Sequence, residues 1–145
     1  MTEKVSKSRT KEMLGALCRA YGIEILYVFG SRAKEIQAVL NAGAAVDEDR
    51  ASDVDIAFKA LAKRRLSVRR KAELCIDLED LLGVDRIDLV ALPEADPFLA
   101  ANVVRGIRLY CADALVADEY ELYLLRRAGD LAPFECERTE AVLHR

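Results

Sequence analysis

Three carboxylates and one Gly-Ser pair are the residues in this sequence whose types and spacing could do chemistry. Asp53 and Asp55 stand two positions apart in Ser52-Asp-Val-Asp-Ile-Ala57. If that stretch is a strand, both project to one side while Val54 and Ile56 face the other. Aspartate is depleted in strands, and two ionised carboxylates so close repel and raise each other's pKa. Mg²⁺ removes that cost, since it takes oxygen ligands from one or two carboxylates plus substrate phosphates. The plainer reading is an edge strand with a wet, charged face. A third acid, Asp88, lies in Arg86-Ile-Asp-Leu-Val-Ala-Leu92 on the face opposite Ile87 and Leu89. Placed beside the first strand it would complete a three-acid cluster. Such a cluster can hold two metals about 3.5–4 Å apart for in-line displacement at phosphorus.

Gly30-Ser31 supplies the complementary half. Ile25 to Phe29 is apolar and rich in β-branched and aromatic residues, as a buried strand requires. Gly30 permits a tight turn or close approach to a ligand, and Ser31 is the expected N-cap of a helix starting around Arg32. A helix N-terminus favours an anion such as phosphate. By itself a Gly-Ser between strand and helix is ordinary turn chemistry. Arg32 in the first helical turn is unfavourable to the dipole unless a phosphate lies near; solvation is the other reading. Lys59, Lys63, Arg64 and Arg65 form a basic loop expected to be solvated. His144, the single histidine, lies near the end of the sequence, so no histidine-based catalysis is expected.

Gly30-Ser31, Asp53-Val-Asp55 and Asp88 together resemble the DNA polymerase β-type nucleotidyltransferase superfamily. Within it the chain resembles the small stand-alone minimal nucleotidyltransferases, or MNT antitoxins, over roughly residues 10 to 135. Phe29-Gly-Ser-Arg-Ala33, Ile87-Asp-Leu-Val90, Arg105-Gly-Ile-Arg-Leu-Tyr110 and Glu119-Tyr-Glu121 carry that likeness. The resemblance implies an α/β (α+β) nucleotidyltransferase fold: a small mixed β-sheet flanked by helices, with a helical C-terminal segment. It implies catalytic Asp53, Asp55 and Asp88, which also ligate two Mg²⁺ ions. Gly30, Ser31 and Arg32 would bind the nucleotide, with ATP as the substrate. The acceptor would be a hydroxyl, a tyrosine, on a HEPN-domain toxin that the chain neutralises as its antitoxin. Alternatives are a binding-only antitoxin with a degenerate site and a small-molecule nucleotidyltransferase. One feature departs from the family: residues 32 to 52 span 21 positions, a longer interval than usual. It reads as a longer helix ending near Asn41-Ala-Gly43, then an acidic loop, Asp47-Glu-Asp-Arg50.

The elements that must position these residues follow from periodicity. A helix is expected from Ser8 to Ala20 with Met13, Leu14, Leu17 and Cys18 as its stripe, closed near Gly22. Ser67 to Leu82 is a second amphipathic helix containing Val68, Ala72, Cys75, Ile76, Leu78 and Leu82, with Glu79 at its edge. The βαβ-like alternation places strands side by side with helices on the sheet. A short helix over Asp96–Arg105 carries Phe98, Leu99 and Val103 inward, and Ile107 to Tyr110 is a short strand. The last helix, Ala114 to Ala128, has Leu115, Tyr120, Tyr123 and Leu124 as its apolar face. Residues 1 to 8 are expected to fray, and the tail from Pro133 shows no pattern. The 145 residues are one domain's worth, 52% apolar and 32% charged. A net charge of −3 argues against a nucleic-acid surface. Cys18, Cys75, Cys111 and Cys136 lack the paired spacing of a zinc site and suit reduced thiols. No secretory or membrane segment is evident, so the cytoplasm is the expected location.

Overall fold

The computed structural model describes residues 2–44, 46, 53–62 and 64–143, with side chains over 9–44, 46, 53–62 and 64–130. The expected acidic loop Asp47–Arg50, Ser52, Lys63 and His144, and the Cys136 side chain, lie outside that description. A four-stranded sheet, ordered β3-β2-β1-β4, is the frame. Its centre is β1 (Ile23–Phe29), where all seven residues are buried, as an apolar run in mid-sheet must be. β2 (Val54–Ala60) and β4 (Ile107–Cys111) flank β1 antiparallel, and β3 (Ile87–Ala91) runs parallel to β2.

Helices cover both faces. On one face α1 (Thr2–Tyr21), α2 (Ala33–Ala42) and α3 (Val68–Leu82) pack Leu14, Cys18, Ile36, Leu40, Leu74 and Leu78 onto Leu26, Val28, Val54 and Ile56. On the other, α4 (Pro97–Val104) and α5 (Ala114–Leu143) bring Ala100, Val103, Ala117 and Leu124 against Ile25, Tyr27, Phe29 and Ala57. A 3₁₀ turn at Leu92–Glu94 adds Leu92 to that second core. The mixed sheet flanked by helices, with a helical C-terminal segment, matches the expectation from sequence. β2–α3–β3 is a parallel crossover between neighbouring strands; β1–α2–β2 returns antiparallel instead of continuing the βαβ pattern.

Local chemistry sets the ends. Ser67 accepts the Arg70 amide at 3.1 Å to open α3, and Asp96 accepts the Phe98 and Leu99 amides at 3.0 Å to open α4. Asp113, an unforeseen cap, accepts the Leu115 amide at 3.0 Å to open α5. α2 ends at Gly43, as expected. Helix lengths and faces need correction. α1 begins at Thr2 and α5 reaches Leu143, passing Pro133. α3 buries the narrow stripe Leu74, Leu78 and Leu82, because only one side of it meets the sheet; Val68 and Ile76 point to solvent. Met13 and Phe98 are exposed for the same reason. α5 packs through Ala117, Leu124 and Ala128, leaving Leu115 68% and Tyr123 56% exposed. Among the described residues no helix is long and apolar enough to cross a membrane.

Candidate functional site

The site forms where β1 ends and β2 and β3 begin. Antiparallel pairing sets Phe29 opposite Asp55, and the parallel ladder sets Asp55 opposite Asp88. Paired residues share a face, and neighbouring strands lie about 4.8 Å apart. Both acids therefore stand on the α4–α5 face, while Val54, Ile56 and Ile87 fill the opposite core. Asp53 precedes β2 and is exposed, as is Asp88; Asp55 is half-buried.

Gly30 is fitted to Asp55. Its φ is +81°, and a Cβ there would sit 2.5 Å from Asp55 Oδ2. Only glycine combines that left-handed backbone with so close an approach. The Asp55 carboxylate thus lies directly over the turn that leaves β1. Burial, then the charges of Asp88 and Asp53, push the Asp55 pKa above the usual carboxylate value. Asp55, held deeper than Asp53 and Asp88, thus feels the crowding expected of neighbouring carboxylates.

Ser31 and Arg32 differ from expectation. α2 starts at Ala33, with Arg32 as a cap residue that makes no side-chain cap hydrogen bond, so Ser31 lies exposed in the turn and does not cap the helix. Arg32 is only 5% exposed, and its guanidinium grips Glu35 with Nε–Oε2 at 2.9 Å and a second nitrogen–Oε1 contact at 3.1 Å. Glu35 in the first turn offsets the penalty of a cation at the helix N-terminus. The side chain is thus packed and paired, where the sequence suggested either phosphate or solvent.

Sequence reasoning missed the polar contacts that tie the sheet to α5 and β2 to β1. Tyr27, fully buried, donates its hydroxyl to Glu121 at 2.5 Å, and Arg108 bridges Glu121 at 3.2 Å and Asp118 at 3.0 Å. Burial and the Glu121 carboxylate raise the Tyr27 pKa well beyond the ordinary phenol range. Lys59, expected in a loop, is on β2; it pairs with Glu24 at 3.2 Å and lies 5.1 Å over the Tyr120 ring. These partners are 35 to 94 positions apart or on different elements, so no local pattern marks them. The alternation of Ile25, Tyr27 and Phe29 was the available signal that the Tyr27 hydroxyl points into a core and needs a partner.

Could the acids hold Mg²⁺? The donor set is right, carboxylate oxygens only, and the charges of Asp88 and Asp53, which add to burial in raising the Asp55 pKa, are ones that a cation would relieve. Among the described residues no three acid, histidine or cysteine side chains already form a cage for an ion. The expected three-acid metal cluster is thus an incomplete one. This fits a metal that takes one or two carboxylates and completes its shell with water and substrate phosphates.

Comparison with known proteins gives the same fold. A chain of a toxin–antitoxin structure with AMP-PNP superposes with a TM-score of 0.67 at 23% identity, covering 92% of this chain and 98% of that one. A structure of a tri-AMPylated Shewanella oneidensis HEPN toxin in complex with MNT antitoxin gives 0.58 at 22%, covering 94% and 95%. A toxin-antitoxin MntA-HepT structure gives 0.57 at 21%, covering 93% and 95%. At this identity the likeness is one of fold. No curated protein matches the chain. The family model described as polymerase beta, nucleotidyltransferase, matches residues 12–115, most of the chain, and the chain belongs to that family.

Proposed function

We propose that this protein is a Mg²⁺-dependent nucleotidyltransferase that moves AMP from ATP to a tyrosine hydroxyl of a HEPN-type toxin, acting as its antitoxin. The observation that carries the reading is Asp55, lodged against a Cβ-less turn and registered opposite Asp88. An acid kept there despite burial and like charge is poor structural engineering but suits polyphosphate chemistry. The structures with AMP-PNP and with a tri-AMPylated HEPN toxin support nucleotide and partner of this kind.

In this mechanism Asp53 and Asp55 would hold Mg²⁺, with Asp88 completing one site, and the ion would supply charge neutralisation at the phosphates. The turn at Gly30 and Ser31 carries the β- and γ-phosphates close to backbone, with Arg32 bracing that turn through Glu35. Asp88, exposed at the rim, accepts the proton of the incoming hydroxyl as its oxygen forms the bond to the α-phosphorus and the bond to pyrophosphate breaks. The test is incubation of the protein with Mg²⁺, ATP and its toxin partner, read by intact mass. The partner should gain AMP, and Asp53→Asn should reduce transfer at least 100-fold with unchanged circular dichroism. A fully active variant refutes the assignment.

A second reading, inhibition by contact alone, is favoured by the exposed apolar side chains Leu115, Val116, Leu122 and Tyr123 of α5 and by the incomplete cage. Under it the partner is bound and silenced with its mass unchanged, and Leu122→Asp, not Asp53→Asn, releases it.

A further inference from the structure

A cavity of about 420 Å³ opens at the carboxyl ends of β2 and β3, the opposite end of the sheet from the acids. It includes Ala60, five residues beyond Asp55 and hence about 16 Å along the strand. The volume is in the range of small-molecule sites. Its floor is apolar, made by Phe58, Leu66 and Ala91. Its rim carries Arg64, Arg65 and Lys71 against one acid, Glu94.

Glu94 is already engaged by Arg65 at 3.1 Å. Among the described residues, Arg64 and Lys71 have no carboxylate partner. Both nonetheless lie against the fold. Lys71 Nζ lies 5.9 Å from the Phe58 ring centroid. The Arg64 side chain covers Gly22, 3.1 Å from where a Cβ would be, and its amide donates to the Leu61 carbonyl at 2.9 Å. Two positioned cations over an aromatic and aliphatic floor are complementary to a molecule with an apolar body and an anionic head.

We propose that this cavity is a second ligand site, independent of the nucleotidyl-transfer reading, that takes a small amphipathic anion. The apolar body rests on Phe58, Leu66 and Ala91, and a carboxylate or phosphate group sits between Arg64 and Lys71. Titrating the ¹⁵N-labelled full chain with 1-naphthoate, 1-naphthyl phosphate and neutral 1-naphthol, read by amide chemical shifts, tests it. Saturable shifts should centre on Ala60, Leu66, Lys71 and Ala91, and the tighter of the two anions identifies the head group. Naphthol should bind at least tenfold more weakly, and the double variant Arg64→Glu/Lys71→Glu should weaken the anions at least tenfold with Tm unchanged. Shifts centred on Gly30 and Asp88, equal binding of naphthol, no saturation, or undiminished binding by a folded double variant each overturn the proposal. If that variant does not fold, the parent's shift map and the naphthol comparison still decide.

Discussion

Asp55 at neutral pH works against the fold that holds it. Its folded pKa is raised, so the native state binds the proton more tightly than the unfolded chain does. Its protonated form favours folding at low pH, and that contribution is lost as pH rises through the folded pKa. Asp55→Asn mimics the protonated state. It should therefore have a higher Tm than the parent at pH 7 while losing transferase activity. The gap should close as pH falls through the raised pKa of Asp55 toward 3.8, the ordinary value, and it should also narrow when Mg²⁺ is added to the parent. Thermal unfolding across pH, with and without Mg²⁺, checks this; a less stable variant at pH 7 would contradict the electrostatic account. That Asp55 and Asp88 lie on neighbouring strands near a glycine turn was legible from residue type and spacing. The contact between Gly30 and Asp55, and the pairing of Arg32 with Glu35, were not. They depend on backbone angles and on which rotamer a crowded side chain must take, and neither leaves a periodic trace.

At the scale of elements, β1 is tied to the helices behind it by a few specific contacts. Tyr27→Phe keeps the ring and removes the hydroxyl donated to Glu121, leaving that carboxylate to Arg108. A hydrogen bond to a charged group contributes about 1.5–3 kcal/mol, and Glu121 keeps part of its hydration, so a loss near 1 kcal/mol in denaturant unfolding is expected. Gly106 is more sensitive. A Cβ there would come 2.6 Å from the Val28 carbonyl oxygen and 2.9 Å from Phe29 Cβ. Those atoms are backbone and core, so they cannot swing aside. Gly106→Ala should destabilise by about 1–3 kcal/mol through overpacking and disturb the turn that follows Phe29, which urea unfolding and the transferase assay would both register. Strands, and the start of α3, were readable where an apolar period met a Gly or capping residue, whereas α5 runs past Gly129 and Pro133. The faces of α3, α4 and α5 were misread at Ile76, Phe98 and Tyr123. Amphipathic pattern says that a stripe exists, but only the packing partner says how wide it is.

For the molecule as a whole, the two cores divide the labour. α1, α2 and α3 back the sheet on one side. α4 and α5 share the other with the acids and leave the acid end of that face accessible. Under the proposed function ATP with Mg²⁺ should bind the native state alone, and at about 100 times its dissociation constant should stabilise by about 2.7 kcal/mol. Differential scanning calorimetry with ATP, with Mg²⁺ and with both should show that the pair exceeds either alone, and that chelation reverses the gain. The overall class was legible because family motifs and alternation agreed. The antiparallel return from β1 to β2 was not, since strand direction is a property of pairing and not of either segment. That return has a consequence for how the chain tolerates change. Two strands lying head to tail keep the exit of one beside the entrance of the next, whatever length of chain joins them. The register Phe29 to Asp55 belongs to the ladder, so the interval between the glycine corner and the acids can lengthen through evolution while the atoms that matter stay neighbours.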